Sequence, residues 1–167
     1  MKLMRVGPKG AEKPAMMDAA GVIRDLSAHA SDIDGSVLGA DALAKLAAID
    51  PTSLPEVSAD TRIGQCVGNV GNVICVGLNY TDHAIETNNP IPTEPVLFSK
   101  AVTSLSGPND DVERPRGSIM LDWEIELAIV MGKRAKYVSE AEARDHVAGF
   151  ACFNDVSERE FQTQRPG

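Results

Sequence analysis

The sequence predicts an α+β fold in which strands outnumber helices. Short apolar runs at 73–77, 96–100 and 150–153 have the length and composition of strands, and turn-forming residues separate them. Helical patterns are fewer and short, and they cover 41–49 and the residues that follow Ser139. A chain of 167 residues suits one domain, or one domain with part of another.

Residues 1–65 are predicted to form a small α+β domain. Its elements, in chain order, are a strand at 1–6, a hairpin made from 13–18 and 21–26, and a helix at 41–49. The helix carries Leu43 and Leu46 on one face and ends before Pro51, because the residue before a proline disfavours the helical conformation. Pro51 begins a linker that leads to the second domain, residues 66–167.

The second domain is predicted to begin with a buried strand at 73–77. A helix follows Ser139, because Ser139 and Glu142 have the spacing of a capping box, and Gly149 is placed to end that helix. Another buried strand follows at 150–153. Strands therefore frame this domain, and sites are usually built from polar groups in the segments that follow such rigid elements.

Glu124 and Glu126 stand two residues apart in an apolar, β-prone run at 122–130. In a strand, residues i and i+2 share a face, so both carboxylates point one way while Trp123 and Ile125 point the other. Two acids on one face of a buried strand repel each other unless a cation lies between them, and Mg²⁺ prefers carboxylate oxygens. The alternative interpretation is an ordinary antiparallel strand with one solvated face.

Further candidate residues follow two other strands. His83 and Glu86 lie three residues apart, so one helical turn would place them on one face, where the carboxylate raises the basicity of the imidazole. That pairing suits the activation of water; a solvated loop histidine with a chance acidic neighbour is the alternative. Asp155 follows the strand at 150–153 and supplies a third acid, for which an N-cap or turn aspartate is the alternative.

Composition and charge exclude several classes of function. A formal net charge of −8 with no offsetting basic patch argues against nucleic-acid binding. We expect neither a membrane span nor a secretory signal, because no apolar stretch is long enough and residues 1–30 lack the signal pattern. The 3 cysteines form no CxxC pair, which indicates reduced thiols and a cytoplasmic location.

Four motifs occur in a fixed order along residues 73–164. They are Gly77-Leu78-Asn79-Tyr80-x-Asp82-His83-Ala84-x-Glu86, Pro95-Val96-Leu97-Phe98-x-Lys100, Asp122-Trp123-Glu124-x-Glu126-Leu127 and Asn154-Asp155-Val156-Ser157-x-Arg159-x-x-Gln162. Together they resemble the fumarylacetoacetate hydrolase family, bacterial members included. The resemblance implies that the second domain is the front part of that family's mixed β-roll.

The resemblance also implies a role for each matched residue. The protein ligands of a Mg²⁺ or Mn²⁺ ion would be Glu124, Glu126 and Asp155. The catalytic dyad that activates water or moves a proton would be His83 and Glu86. The substrate-binding residues would be Tyr80, Asp82, Lys100, Arg159 and Gln162. Leu78 stands where some relatives have arginine, so a charge contact available to them is absent here.

The chemistry implied by the resemblance is that of small 2-oxo acids. The metal ion would stabilise an enolate as a C–C bond breaks or a proton shifts. Hydrolysis of a 1,3-diketone, decarboxylation, isomerisation and ureidoglycolate lysis all remain open, and the N-terminal arm is similar to chains labelled ureidoglycolate lyase. Homodimerisation is expected from the same resemblance.

Members of that family are longer than this chain. We therefore expect residues 1–167 to be a C-terminally truncated form whose sheet has open edges and an exposed apolar face. Such a chain is expected by itself to be unstable or to aggregate, and to have little activity. The alternative to an enzyme is an inactive remnant that acts only as a binding fragment.

Overall fold

The structure is a computed structural model that describes residues 1–165. The chain forms two compact units: the first combines Met1–Gly68 with the chain from Gly107 onward, and the second is Asn69–Ser106. The predicted domain boundary near residue 65 lies close to the point where the first unit is interrupted. The division into an N-terminal and a catalytic domain stays a prediction.

Strands make up most of the regular structure, as the sequence predicts. In chain order they are β1 (Lys2–Val6), β2 (Lys13–Met17), β3 (Ile23–Asp25), β4 (Val73–Gly77), β5 (Val96–Lys100), β6 (Leu121–Asp122), β7 (Ile125–Met131), β8 (Val147–Asn154) and β9 (Ser157–Glu158). The α-helices are α1 (Ala40–Ala47), α2 (Thr81–Glu86) and α3 (Arg159–Thr163), and single 3₁₀ helices cover Pro51–Ser53, Val102–Ser104 and Glu140–His146. The strands pair antiparallel as the sheet β1-β2-β3 and as the ribbons β4–β5, β6–β9 and β7–β8.

The core of the first unit forms around the N-terminal sheet and α1. Met16 of β2, Leu26 after β3 and Leu46 of α1 are buried together, and Leu26 is 0 % exposed. Val130 of β7 and Ala148 of β8 pack against the same cluster. This contact fixes the half-buried side of the β7–β8 ribbon to the N-terminal core.

An arginine network joins the N-terminal sheet to the chain after Gly107. Arg62 donates from Nε and Nη2 to the two oxygens of Asp110, over 2.7 and 2.6 Å, and from Nη1 to Glu12 over 3.0 Å. Arg5 lies 3.5 Å from Glu12 and donates to both oxygens of Asp32. Paired forks of this kind hold two segments in one register as well as neutralising charge.

The pairing with Arg62 makes the stability of this unit depend on pH. The hydrogen bonds from Arg62, with one from Gly107, lower the pKa of Asp110 from 3.8 to about 2. Because the pKa is lower in the folded state, the stabilisation is complete above about pH 4 and is lost as the pH falls toward about 2. We expect Asp110→Asn to be destabilising at pH 7 and to lose that difference as the pH falls to about 2. Urea unfolding at several pH values checks this, and a pH-independent difference would contradict it.

The outer face of the β7–β8 ribbon is apolar and exposed. Leu127 is 62 % exposed, and Ile125, Ile129 and Phe150 are exposed on the same side; Trp123, just before the ribbon, is 72 % exposed. Leu127 lies opposite Cys152, and Ile129 lies opposite Phe150, so the exposed side chains form one continuous face. The expected exposed apolar face is therefore present. The expectation of buried strands is wrong for both 73–77 and 150–153, whose side chains alternate between half-buried and exposed.

The helix predicted after Ser139 takes a different form. Residues Glu140–His146 form a 3₁₀ helix, and Gly149 lies inside β8 instead of ending a helix. The Ser139 hydroxyl donates to the Glu142 carboxylate over 2.6 Å and makes no side-chain cap bond to the helix. The Glu142 N–H donates to the Ser139 carbonyl over 3.1 Å, which is the shorter-range bond of a 3₁₀ turn.

Candidate active site

Glu124 lies at an interruption between two strands. The predicted continuous strand at 122–130 is wrong at this point, because Asp122 ends β6 and Ile125 begins β7. The Glu124 N–H donates to the side-chain oxygen of Asn154 over 3.2 Å. A side-chain acceptor thus takes the place of a backbone acceptor, and the chain passes from one ribbon to the next.

Asp155 is positioned beside Glu124 by the backbone. It follows β8 directly, and its N–H donates to the Glu124 carbonyl over 3.0 Å. Asp155 is 5 % exposed, so its carboxylate is held inside the first unit. Glu126 lies on the half-buried side of β7, two residues from Glu124, while the apolar residues between and beyond them face outward. The three predicted ligands therefore come from adjoining positions of one ribbon.

Arg159 is the cation that the structure places against Glu124 and Asp122. Its Nη2 forms a close ion pair with Glu124, its Nε donates to Asp122 over 2.9 Å, and its Nη1 donates to Gln162 over 3.0 Å. Burial opposes the charge of Arg159, but the hydrogen bonds to Glu124 and Asp122 outweigh burial and raise its pKa. Arg159 and Gln162, two predicted substrate-binding residues, thus meet next to the predicted ligand Glu124.

The donor set fits a hard divalent cation by its chemistry. Carboxylate oxygens are the ligands that Mg²⁺ prefers, and the paired Glu124 shows that this position accommodates a positive charge. Within residues 1–165, no three Asp, Glu, His or Cys side chains converge on one point, and the Glu124 carboxylate is paired with Arg159. Glu124, Glu126 and Asp155 would hold a cation only when Glu124 releases that guanidinium.

The predicted dyad lies in the second unit, on α2. The helical turn on which the pairing of these residues depends is present, since α2 spans Thr81–Glu86 and carries both His83 and Glu86 on exposed positions. Between these two described side chains there is neither a hydrogen bond nor an ion pair. Leu78, just before this helix, has a left-handed φ of +50°, which is rare for a residue other than glycine.

The remaining predicted substrate-binding residues also belong to the second unit. Tyr80 is the N-cap residue of α2 and Asp82 lies in its first turn, and both are exposed. Lys100 ends β5 opposite Val73 and is half-buried. A separate cavity of about 270 Å³ opens in this unit between the end of β4 and the loop that carries Pro92 and Pro95. Leu78 is among the residues that line it.

Asp122 also belongs to this cluster of charged residues, although the sequence pattern does not mark it as a site residue. It belongs to the same motif as Glu124, yet only the two later acids suggest a metal pair by their position in an apolar run. In the structure its Oδ2 accepts from Arg159 and its Oδ1 accepts from the Trp123 N–H over 2.9 Å. The signal available in the sequence is the third acid of an i, i+2, i+4 series.

Comparison with known proteins identifies the family. Residues 72–166 match the family model described as fumarylacetoacetate (FAA) hydrolase C-terminal, which covers more than half of the chain. The chain belongs to this family. The family predicted from the four motifs is therefore confirmed, and the mostly β architecture matches the front part of the family's folds.

Relatives in Burkholderia cover the whole chain. It is 56 % identical over all 167 residues to a protein of Burkholderia orbicola named "Putative hydrolase", and it spans 59 % of that relative's length. A protein of Burkholderia ambifaria with the same name is 54 % identical over the same span. The chain thus covers about three fifths of these relatives.

Solved structures of family members share the fold. The fumarylacetoacetate hydrolase from the psychrophilic Exiguobacterium antarcticum is 29 % identical with a TM-score of 0.76, and the match covers 98 % of this chain and 58 % of that one. The 5-carboxymethyl-2-hydroxymuconate delta-isomerase from Mycobacterium smegmatis is 27 % identical with a TM-score of 0.67, over 98 % of this chain and 57 % of that one. Among the helices of residues 1–165, none has the length and apolar character needed to cross a bilayer.

Proposed function

We propose that this family member is an enzyme of small 2-oxo acids that depends on Mg²⁺ or Mn²⁺ and works through an enolate. The reaction would be hydrolysis of a C–C bond or an isomerisation, and its structural relatives include one named as a hydrolase and one named as an isomerase. The observation that carries the proposal is the position of buried Asp155, hydrogen-bonded through its backbone to Glu124, whose carboxylate faces the cationic Arg159.

The protein ligands of the cation would be Glu124, Glu126 and Asp155. When bound, a divalent cation supplies the Lewis acidity that stabilises an enolate oxygen. Asp155 is already buried, and the hydrogen bond from its N–H holds its backbone beside Glu124. Glu124 would exchange the guanidinium of Arg159 for the cation.

Arg159 would then bind the carboxylate of the substrate. A guanidinium presents donors in a planar fork that matches a carboxylate, so the Nη2 released by Glu124 would face an incoming anion. Gln162 already accepts from Nη1 and keeps that side of the fork oriented. These two side chains would orient the substrate.

His83 would move the proton that decides the outcome. With Glu86 three residues later on α2, the imidazole would take a proton from water for attack on a second carbonyl, which gives hydrolysis. Without that water, proton transfer by the same imidazole would give an isomerisation. The exposed position of His83 leaves the ring open to both water and substrate.

Calorimetric titration tests the cation site directly. We expect the protein expressed from its complete gene to bind Mn²⁺ or Mg²⁺, and Glu126→Gln to weaken that binding by more than about tenfold, because the loss of a ligand exceeds the cost of disturbing a ligand's neighbour. Glu113→Gln, which removes an exposed acid elsewhere, is the matched control and should change nothing. Absence of binding to the unaltered protein would overturn the proposal.

The reaction itself is tested with a panel of candidate substrates. Acylpyruvates, oxaloacetate, ureidoglycolate and a 2-hydroxyhepta-2,4-dienedioate cover hydrolysis, decarboxylation, lysis and isomerisation. Turnover of one of them that requires the added cation and falls in Glu126→Gln would support the proposed function. A turnover that is indifferent to both would contradict it.

A further inference from the structure

We propose that Asp122 is a positioning residue that retains Arg159 beside the cation site when Glu124 leaves it. This inference rests on the proposed function, since it concerns the same site. The observation behind it is that one guanidinium bridges two carboxylates with different expected roles. Glu124 belongs to the proposed ligand set, whereas Asp122 lies outside it.

Each contact of Asp122 fixes it in place for this task. Its Oδ1 accepts from the Trp123 N–H over 2.9 Å, which orients the carboxylate, and its Oδ2 accepts from Arg159 Nε over 2.9 Å. Asp122 pairs with Ser157 in the β6–β9 ribbon, two residues before Arg159, so the strand pairing sets the separation of the two side chains. The Arg159 N–H also donates to the Met120 carbonyl over 2.9 Å.

Glu124 and Asp122 bind different nitrogens of Arg159, and this difference matters when a cation replaces the guanidinium at Glu124. Glu124 binds Nη2, at the tip of the fork, while Asp122 binds Nε, nearer the backbone. A cation that takes Glu124 therefore removes only one of the two carboxylates, and the guanidinium keeps its position through Nε. Nη2 is then the donor available to an anionic substrate.

The same arrangement predicts that the guanidinium of Arg159 and a cation compete for the Glu124 carboxylate. Without Asp122, Glu124 would be the only one of these two carboxylates left to bind the guanidinium. A cation would then have to break the ion pair between Glu124 and Arg159. Asp122 is thus expected to favour cation binding through Arg159. A merely structural acid at the end of β6 would change folding stability without any link to Arg159.

A double-mutant cycle with Mn²⁺ as the probe separates these roles. In the protein expressed from its complete gene, we expect Asp122→Asn to raise the dissociation constant for Mn²⁺ about tenfold, within the range of coupling between contacting charges. In an Arg159→Gln background, the same change should have less than about a twofold effect. The small residual effect would measure the loss of negative charge alone.

Two further variants keep the test decisive. Glu160→Gln removes a neighbouring acid whose partner is Arg165 and not Arg159, so it is the matched charge control and should leave the affinity unchanged. Asp122→Ser takes the place of Asp122→Asn if thermal melting shows that the latter does not fold. Asp122→Glu, which keeps a negatively charged acceptor for Nε, should recover most of the affinity.

The outcomes distinguish the inference from the proposed function. A tenfold effect of Asp122→Asn that disappears in the Arg159→Gln background supports the positioning role. An effect of equal size in both backgrounds, or no effect in either, would overturn that role while the cation site stands. Absence of Mn²⁺ binding to the unaltered protein would instead overturn the proposed function, and the positioning role with it.

Discussion

Replacing Asp155 by asparagine is expected to lower cation-dependent turnover of a 2-oxo acid by more than about 100-fold. Disturbing the neighbour of a metal ligand costs up to about 100-fold, and loss of a ligand should cost at least as much. Asparagine has the shape of aspartate and keeps the backbone N–H that donates to Glu124, so the effect should come from the lost charge. Steady-state kinetics at saturating Mn²⁺, together with Mn²⁺ titration, measure it.

The matched control for this variant is Asp111→Asn. Asp111 is exposed and lies in the loop before β6, so the same chemical change there should leave turnover within about twofold. The thermal unfolding of Asp155→Asn should show a single cooperative transition. A folded Asp155→Asn protein with full turnover would remove Asp155 from the ligand set and leave the two glutamates without their third partner.

Truncation of Leu26 is expected to have the largest effect on stability. Leu26 is 0 % exposed and packs with Met16 and Leu46 in the core that also holds the β7–β8 ribbon. Leu26→Ala removes buried methyl groups and leaves a cavity, so the free energy of unfolding should fall by about 3 kcal/mol. Urea unfolding at neutral pH measures the difference.

A volume-conserving change at the same position serves as the control. Leu26→Met should cost less than about 1.5 kcal/mol, because methionine refills most of the space with another apolar side chain. Because Val130 and Ala148 contact this core, Leu26→Ala should also loosen the ribbon that carries Glu126 and precedes Asp155. Equal losses from both variants would show that packing volume at this position does not limit stability.

Local patterns predicted most of the strands and the helix α1. The runs at 73–77 and 96–100 coincide with β4 and β5, because five apolar or β-prone residues between turns specify a strand without help from distant contacts. The N-terminal hairpin and α1 are also confirmed, with α1 ending at Ala47 instead of residue 49. Turn residues and a proline set those boundaries, and both act over a few positions.

Other elements depended on contacts that no local pattern contains. The break at Trp123-Glu124 exists because Asn154, 30 residues later, supplies a side-chain acceptor to the Glu124 N–H. The spacing of Ser139 and Glu142 does not distinguish an α-helix from the 3₁₀ helix at Glu140–His146, because the serine hydroxyl can accept from the backbone or donate to the glutamate in the same motif. The exposure of strands predicted to be buried likewise depends on what covers a sheet face.

The sequence alone determined the family, the mostly β fold and the identity of the candidate ligands Glu124, Glu126 and Asp155, because motif order and residue chemistry are written along the chain. The tertiary structure decided what those acids contact. Only strand pairing brings Arg159 against Glu124 and Asp122, residues 35 and 37 positions away, since hydrogen bonds between distant segments set that separation. The pair that the sequence suggests as a metal site is, in the folded chain, one part of a carboxylate–guanidinium arrangement.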